Sequence, residues 1–395
     1  MKSFECLAAR CLQVVYWLMG LLPLPPGSQF IRLLFALLLR CIWLLYFYIM
    51  IYSGIRFLWK EKGLTISYIT GSALFLGYSM LGVLLQIESI FKQRSQERLQ
   101  DLRFQSQLQM QRLAMSRGCP RRALRLFMLI ATQLVSDAAK FWANSRAKVS
   151  PVLAITMPQM WLLRIRYVQL LEQVIEMNQR ALQLRHSLLC LADSNDIWQP
   201  FGQQEDRHLQ TLRLTYDCIF ECYETFSDCY GWGMLGLQVM CGFEFVSNAY
   251  WIITEAYQDQ QLYMLVYNSA TCFAMGSLIT SLFWYGDAST QNSRQIGCLI
   301  SKLVKPLGSK RYNDLVCEFL LQTLHQRFVL TAKDFFSLNL HLLSSMCAAV
   351  VTYLVILIQF MFAEKSSQVV SQKTRNRNFD RIEQTGMRRR ERSHL

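Results

Sequence analysis

Near the end of the chain, Leu338 to Phe362 reads LNLHLLSSMCAAVVTYLVILIQFMF, a run without Asp, Glu, Lys or Arg. As a helix it rises roughly 37 Å at 1.5 Å per residue, enough to cross a hydrocarbon core of about 30 Å. Ser345, Thr352 and Gln359 recur every seven residues, and His341, Ala348 and Val355 fall between them on the same face. A 3.5-residue period drifts only about 20° per heptad on a straight helix, so this stripe stays on one side. Elsewhere the run is apolar apart from Asn339, Ser344 and Tyr353. Small and polar residues in a stripe fit a seam against another helix. They also fit a pore wall, because a Gln in an apolar run is costly unless it is hydrated or paired.

The remainder of the chain agrees with a membrane protein. Of 395 residues 52% are apolar and 17% charged, and the mean hydropathy is +0.18. An ordinary soluble domain carries about 25% charged residues. A net charge of +14 would suggest nucleic acid for a soluble protein. Here it belongs with Lys and Arg held in cytoplasmic loops, and no nucleic-acid partner is expected. Thirteen cysteines occur without a C-x-x-C pair, and Cys218, Cys222 and Cys229 lack further ligands at metal spacing. They read as reduced packing thiols. Phosphate-binding loops, dinucleotide fingerprints, zinc-protease helices and serine elbows do not occur, so no enzyme, cofactor or metal site is expected.

Seven spans follow from the apolar runs: 33–55, 64–86, 126–143, 149–171, 230–254, 263–285 and 338–362. The fold class is therefore all-α and polytopic. Arg40 sits within span one, where an arginine costs about 2.5–3.5 kcal/mol and must face protein or snorkel. Span three holds Asp137 and Lys140, three apart and able to pair with one another. A pair is the structural role for them; intramembrane charge also makes Asp137 a candidate ligand contact. Span five holds Glu244.

Segments between spans are polar and helical in period. Residues 1–32 form an N-terminal segment and 91–125 a basic loop within the 33–175 block of spans one to four. Residues 176–229 extend spans four and five as a helical pair, with a break from Asp193 to Gln204. Spans five and six occupy 230–285. The segment 286–337, helical through Lys333, leads to span seven. Residues 363–395 form a basic, aperiodic tail. Lys and Arg concentrate in 91–125, 172–224 and 291–333, so these segments and the N-terminus are expected in the cytoplasm, with the C-terminus outside. The tail, with nine Lys and Arg from Lys365 to Arg392, runs against that bias.

The stretch from Thr352-Tyr353 to Gln359-Phe360 (TYLVILIQF) resembles the signature of the insect gustatory receptors. Its lead-in is also similar: Leu321-Gln322, Leu324-His325, Ala332 to Asn339 (AKDFFSLN), Leu342-Leu343 and Ser345. Gly20-Leu21-Leu22-Pro23 resembles the family's N-terminal pattern. The resemblance implies a ligand-gated, non-selective cation channel built as a homo- or heterotetramer in the lipid bilayer of chemosensory neurons. Ser345, Thr352, Gln359 and Phe360 would line its pore. It also implies a pocket for a small-molecule tastant in the outer half of each subunit. Trp142, Tyr250, Trp251 and Tyr267 are aromatic candidates for that pocket, beside Asp137. Sugar-sensing members carry an acidic residue after the Thr-Tyr pair, where this chain has Leu354, so the resemblance points to bitter or aversive compounds. A seven-span transporter or metabotropic receptor is the alternative, against which stands the absence of paired half-helix breaks.

Overall fold

A computed structural model describes residues 2–22, 30–60, 66–112, 121–147, 151–194, 203–258, 262–304, 310–363 and 366. The expected tail, the prolines after Leu22 and Pro200 with Gly202 lie outside the described residues. The elements are α1 (Lys2–Leu18), α2 (Phe30–Lys60), α3 (Ile66–Phe91), α4 (Gln93–Arg112), α5 (Arg121–Ala147), α6 (Pro151–Ser194), α7 (Gln203–Gln258), α8 (Leu262–Ser301), α9 (Lys310–His325), β1 (Thr331–Ala332) and β2 (Phe336–Ser337). Helix α10 (Leu340–Ala363) closes the described chain.

Among the described residues four helices hold stretches long and apolar enough to cross a membrane: Leu33–Trp59, Tyr68–Phe91, Leu262–Ser301 and Leu340–Ala363. α5, α6 and α7 carry more charge, which is why composition alone does not mark them. Their charges lie on inward faces or beyond the apolar stretch.

Length decides the architecture. α6, α7 and α8 have 44, 56 and 40 residues, roughly 60–84 Å at 1.5 Å per residue. Each is at least about twice the thickness of a bilayer core. Their surplus packs into a bundle with α4 and α9. One continuous apolar core runs from Leu74 and Leu81 in α3, through Leu170, Val174 and Leu188 in α6 and Tyr216, Tyr223 and Phe226 in α7, to Phe319 and Phe328. At its centre the Tyr223 and Phe328 rings stack at 5.2 Å, and Tyr216 meets Phe328 at 4.6 Å. We call this the anchor end. The opposite end, where α5 meets α6 and α7 meets α8, is the turn end.

The expected helix through Lys333 is corrected here. Helix α9 stops at His325, and β1 pairs antiparallel with β2, Thr331 opposite Ser337 and Ala332 opposite Phe336. Lys333 and Asp334 form the turn at φ 49° and 60°, a left-handed conformation that no helix contains. The hairpin is docked on α7. Asp228 accepts from Lys92 at 2.9 Å and Lys333 at 3.0 Å, and the Thr331 amide donates to the Ser227 hydroxyl at 3.2 Å. Directly after it, the Leu338 carbonyl lies against Gly286, where any Cβ would overlap it. A bare glycine in α8 thus sets where α10 begins.

At the N-terminus, α1 ends in a turn through Gly20 (φ 69°). Its carbonyls are capped by side chains from three other helices. Arg40 donates to Leu22 O at 2.6 Å, Trp43 to Leu18 O at 3.1 Å, Gln86 to Met19 O at 2.8 Å and Gln169 to Leu21 O at 3.4 Å. Arg40 therefore faces protein, as its position in an apolar span requires.

Candidate functional site

Of the four apolar helices α10 is the least covered: 6% of its most apolar stretch is buried. Its inward side is Leu343, Met346, Val350, Leu354, Leu357 and Met361, spaced three and four apart. His341, Ser345, Ala348, Thr352, Val355 and Gln359 are all exposed, and so is Phe360 at 58%. Ser345 and Thr352 hydroxyls turn back onto their own helix, to His341 O at 3.1 Å and Ala348 O at 2.9 Å. Such back-bonding satisfies a hydroxyl without any partner helix. Tyr353 of the quoted signature is exposed as well.

A second locus lies between α3, α5, α6, α7 and α8 toward the turn end. The expected Asp137–Lys140 pair does not form. Asp137 accepts instead from Arg164 Nη1 of α6, whose planar, forked head suits a carboxylate better than an ammonium does. Lys140 is turned away, with Nζ over the Tyr267 ring, 5.9 Å from its centroid. Tyr267 also stands within electrostatic reach of Arg164, Glu244 and Asp137. Tyr78 of α3 lies beside the Glu244 carboxyl. Gln133 of α5 donates to Ala274 O at 3.0 Å and to Ser277 at 3.2 Å, which ties α5 to α8.

This locus brings together two of the five residues expected at a pocket, Asp137 and Tyr267. Trp142 is 46% exposed and Tyr250 is 2% exposed within the core, while Trp251 packs on the main core beside Gly71. Sequence reading passed over Tyr78, Gln133 and Gln159, since a lone polar residue in an apolar run does not announce a partner on another helix. Arg164 left a signal, a cation within span four, but not its direction.

A model of the family described as 7tm Chemosensory receptor matches residues 9–364. The chain belongs to the 7tm chemosensory receptor family. Among curated relatives, Gustatory receptor 23a of Drosophila melanogaster is 44% identical over 220 residues, covering 54% of this chain and 59% of the relative. Putative gustatory receptor 39b of the same organism is 29% identical over 162 residues, 38% of this chain and 42% of that relative. The chain thus spans about half the length of the curated relatives it matches. The resemblance drawn from TYLVILIQF stands. In fold, this chemosensory receptor is similar to the insect olfactory receptor OR5 from Machilis hrabei, with a TM-score of 0.64 over 90% of this chain and 98% of that one. The same receptor in complex with eugenol gives 0.62 over 89% and 98%. At 13% identity these are likenesses of fold.

Proposed function

We propose that the chain is a gustatory receptor subunit of a ligand-gated, non-selective cation channel, formed by four subunits around an axis lined by α10. The observation that supports it most is the coverage of α10. Its own subunit packs one side of this helix, and the heptad stripe with Gln359 faces away. In this reading α2, α3, α5, α10 and the turn-end parts of α6, α7 and α8 are seven spans with the N-terminus cytoplasmic, as loop charge supports. The anchor end lies in the cytoplasm, between subunits. The locus around Tyr267 is the ligand site, for a small aversive tastant rather than a sugar, given Leu354. The receptor works at the plasma membrane of chemosensory neurons.

Four Gln359 amides would ring the axis with neutral dipoles, replacing part of a cation's hydration without fixed charge and discriminating weakly among monovalent ions. Phe360 is about 100° round the helix, so a modest rotation exchanges amide for phenyl and closes the path by dewetting. Whole-cell currents with ion substitution, normalised to surface protein, test this. Gln359→Glu is expected to raise divalent permeability, and Phe360→Ala to raise current without ligand. Unchanged permeability and unchanged basal current in both would make the stripe a packing seam.

A further inference from the structure

We propose that the locus around Tyr267 binds small organic acids, with the Lys140 ammonium as the counter-ion of the ligand's carboxylate. This rests on the receptor reading above and names the ligand class of that same site. Lys140 is fully buried, 0% exposed, and its Nζ meets no hydrogen-bond partner among the described residues. Its recorded neighbour is the face of Tyr267. A ring face compensates a buried ammonium only in part, and an ammonium removed from water requires an anion or hydration.

Surrounding groups narrow what can fill the place. Asp137 is engaged by Arg164 and Glu244 lies beside Tyr78, whereas no carboxylate meets the Lys140 ammonium among the described residues. On the same three helices other buried donors and acceptors also lack partners among the described residues: Arg164 Nη2, Gln133 Oε1, Gln159 Oε1, Glu244 Oε1 and Ser247 Oγ. Buried polar atoms almost always find partners, and within a bilayer the protein must supply them or enclose water or a ligand. Lys140 lies seven residues from the end of α5, roughly 10 Å deep at 1.5 Å per residue. The rings of Tyr267 and Tyr78 and the Met160 thioether, 3.9 Å from the Tyr267 hydroxyl, supply an apolar wall for the body of the ligand. A carboxylate at Lys140 with an aryl group against these residues satisfies both chemistries.

The test uses the purified full-length chain in lipid nanodiscs with three probes of one shape: 3-phenylpropanoate, its methyl ester and 3-phenylpropylamine. Binding is read at pH 7 from thermal shift and tryptophan fluorescence, neither of which needs a channel. The acid is expected to bind at least about tenfold more tightly than the ester, the scale of one hydrogen bond to a charged group. Lys140→Met should remove that preference and leave ester binding unchanged, while Lys140→Arg should retain it. The proposal is overturned if Lys140→Met binds the acid as the unmodified chain does, if ester or amine binds as tightly as the acid, or if no probe binds folded receptor. Should Lys140→Met not fold, the acid-to-ester ratio and Lys140→Arg still decide. Acid binding without evoked current would sink the channel reading and leave the ligand class standing.

Discussion

The anchor end and the turn end differ in how they hold their most buried cations. At the anchor end each deeply buried arginine has a partner. Arg166 donates to Glu88 at 3.1 Å and to Gln169 at 2.8 Å, with its guanidinium 4.7 Å from the Tyr230 ring centroid. Glu88 also accepts from the Gly233 amide at 2.8 Å. Arg180 donates to Glu176 at 2.5 Å and to Ser106 at 2.6 Å, and Glu176 takes Arg103 as well. At the turn end Arg164 is likewise paired with Asp137, whereas Lys140 meets no carboxylate among the described residues. Paired networks rigidify and specify a packing; an unpaired buried cation costs free energy until an anion or water meets it. The same helical bundle therefore carries a paired ion network toward one end and an unpaired buried cation toward the other.

The sharpest way to break this contrast is at Glu88 and Arg166. Glu88→Gln leaves a buried guanidinium uncompensated and should destabilise by about 3–5 kcal/mol. The readout is loss of monodisperse protein after detergent extraction. The double variant with Arg166→Met should recover much of it, since replacing a whole buried pair is often close to neutral. Equal loss in both would mean that the pair is not what holds α3, α6 and α7 together.

A smaller effect is expected at Gly286. Gly286→Ala places a Cβ into the Leu338 carbonyl, and overpacking of this kind costs about 1–3 kcal/mol. It should lower the thermal midpoint and shift α10, read as altered cysteine accessibility along the Ser345–Thr352–Gln359 face. An unchanged accessibility pattern would show that α10 is placed by its other contacts.

Asp228 gives the smallest effect and a pH signature. Hydrogen bonds from Lys92, followed by those from Lys333, hold its carboxyl below the usual range despite some burial. A lowered folded-state value means the contribution is fully present above the unfolded carboxylate value near 4 and is lost as pH falls through the lower folded value. Because the side chain is 43% exposed, solvent limits the pair to about 0–1 kcal/mol. Asp228→Asn should lower the melting temperature slightly at pH 6. The gap to the unmodified chain should close below about pH 4. A gap that persists in acid would assign the effect to packing of the hairpin.

The apolar runs made most helices legible, and α10 was readable down to which residues share its outward face, because period 3.5 is a property of sequence alone. The hairpin was not. AKDFFSL has helix-compatible composition, and its turn depends on left-handed backbone at Lys333 and Asp334, which are not the glycines such a turn favours. Partner choice was equally hidden. Asp137 and Lys140 are neighbours on α5, yet Arg164, 27 residues on, takes the carboxylate because α6 packs alongside. Periodicity tells which face a charge occupies and is silent on which helix comes to meet it.

The capped turn after α1 also bears on how the chain is made. Arg40 finds its acceptor at Leu22, eighteen residues upstream, already synthesised when span one leaves the ribosome. An arginine that would cost about 2.5–3.5 kcal/mol at the centre of a bare helix can enter the bilayer with its hydrogen bond in place. Gln86 and then Gln169, with the Tyr16–Glu172 bond at 3.0 Å, arrive only as later spans emerge. The N-terminal turn thus joins one contact available within the first forty residues to others that need residues some 150 further along the chain.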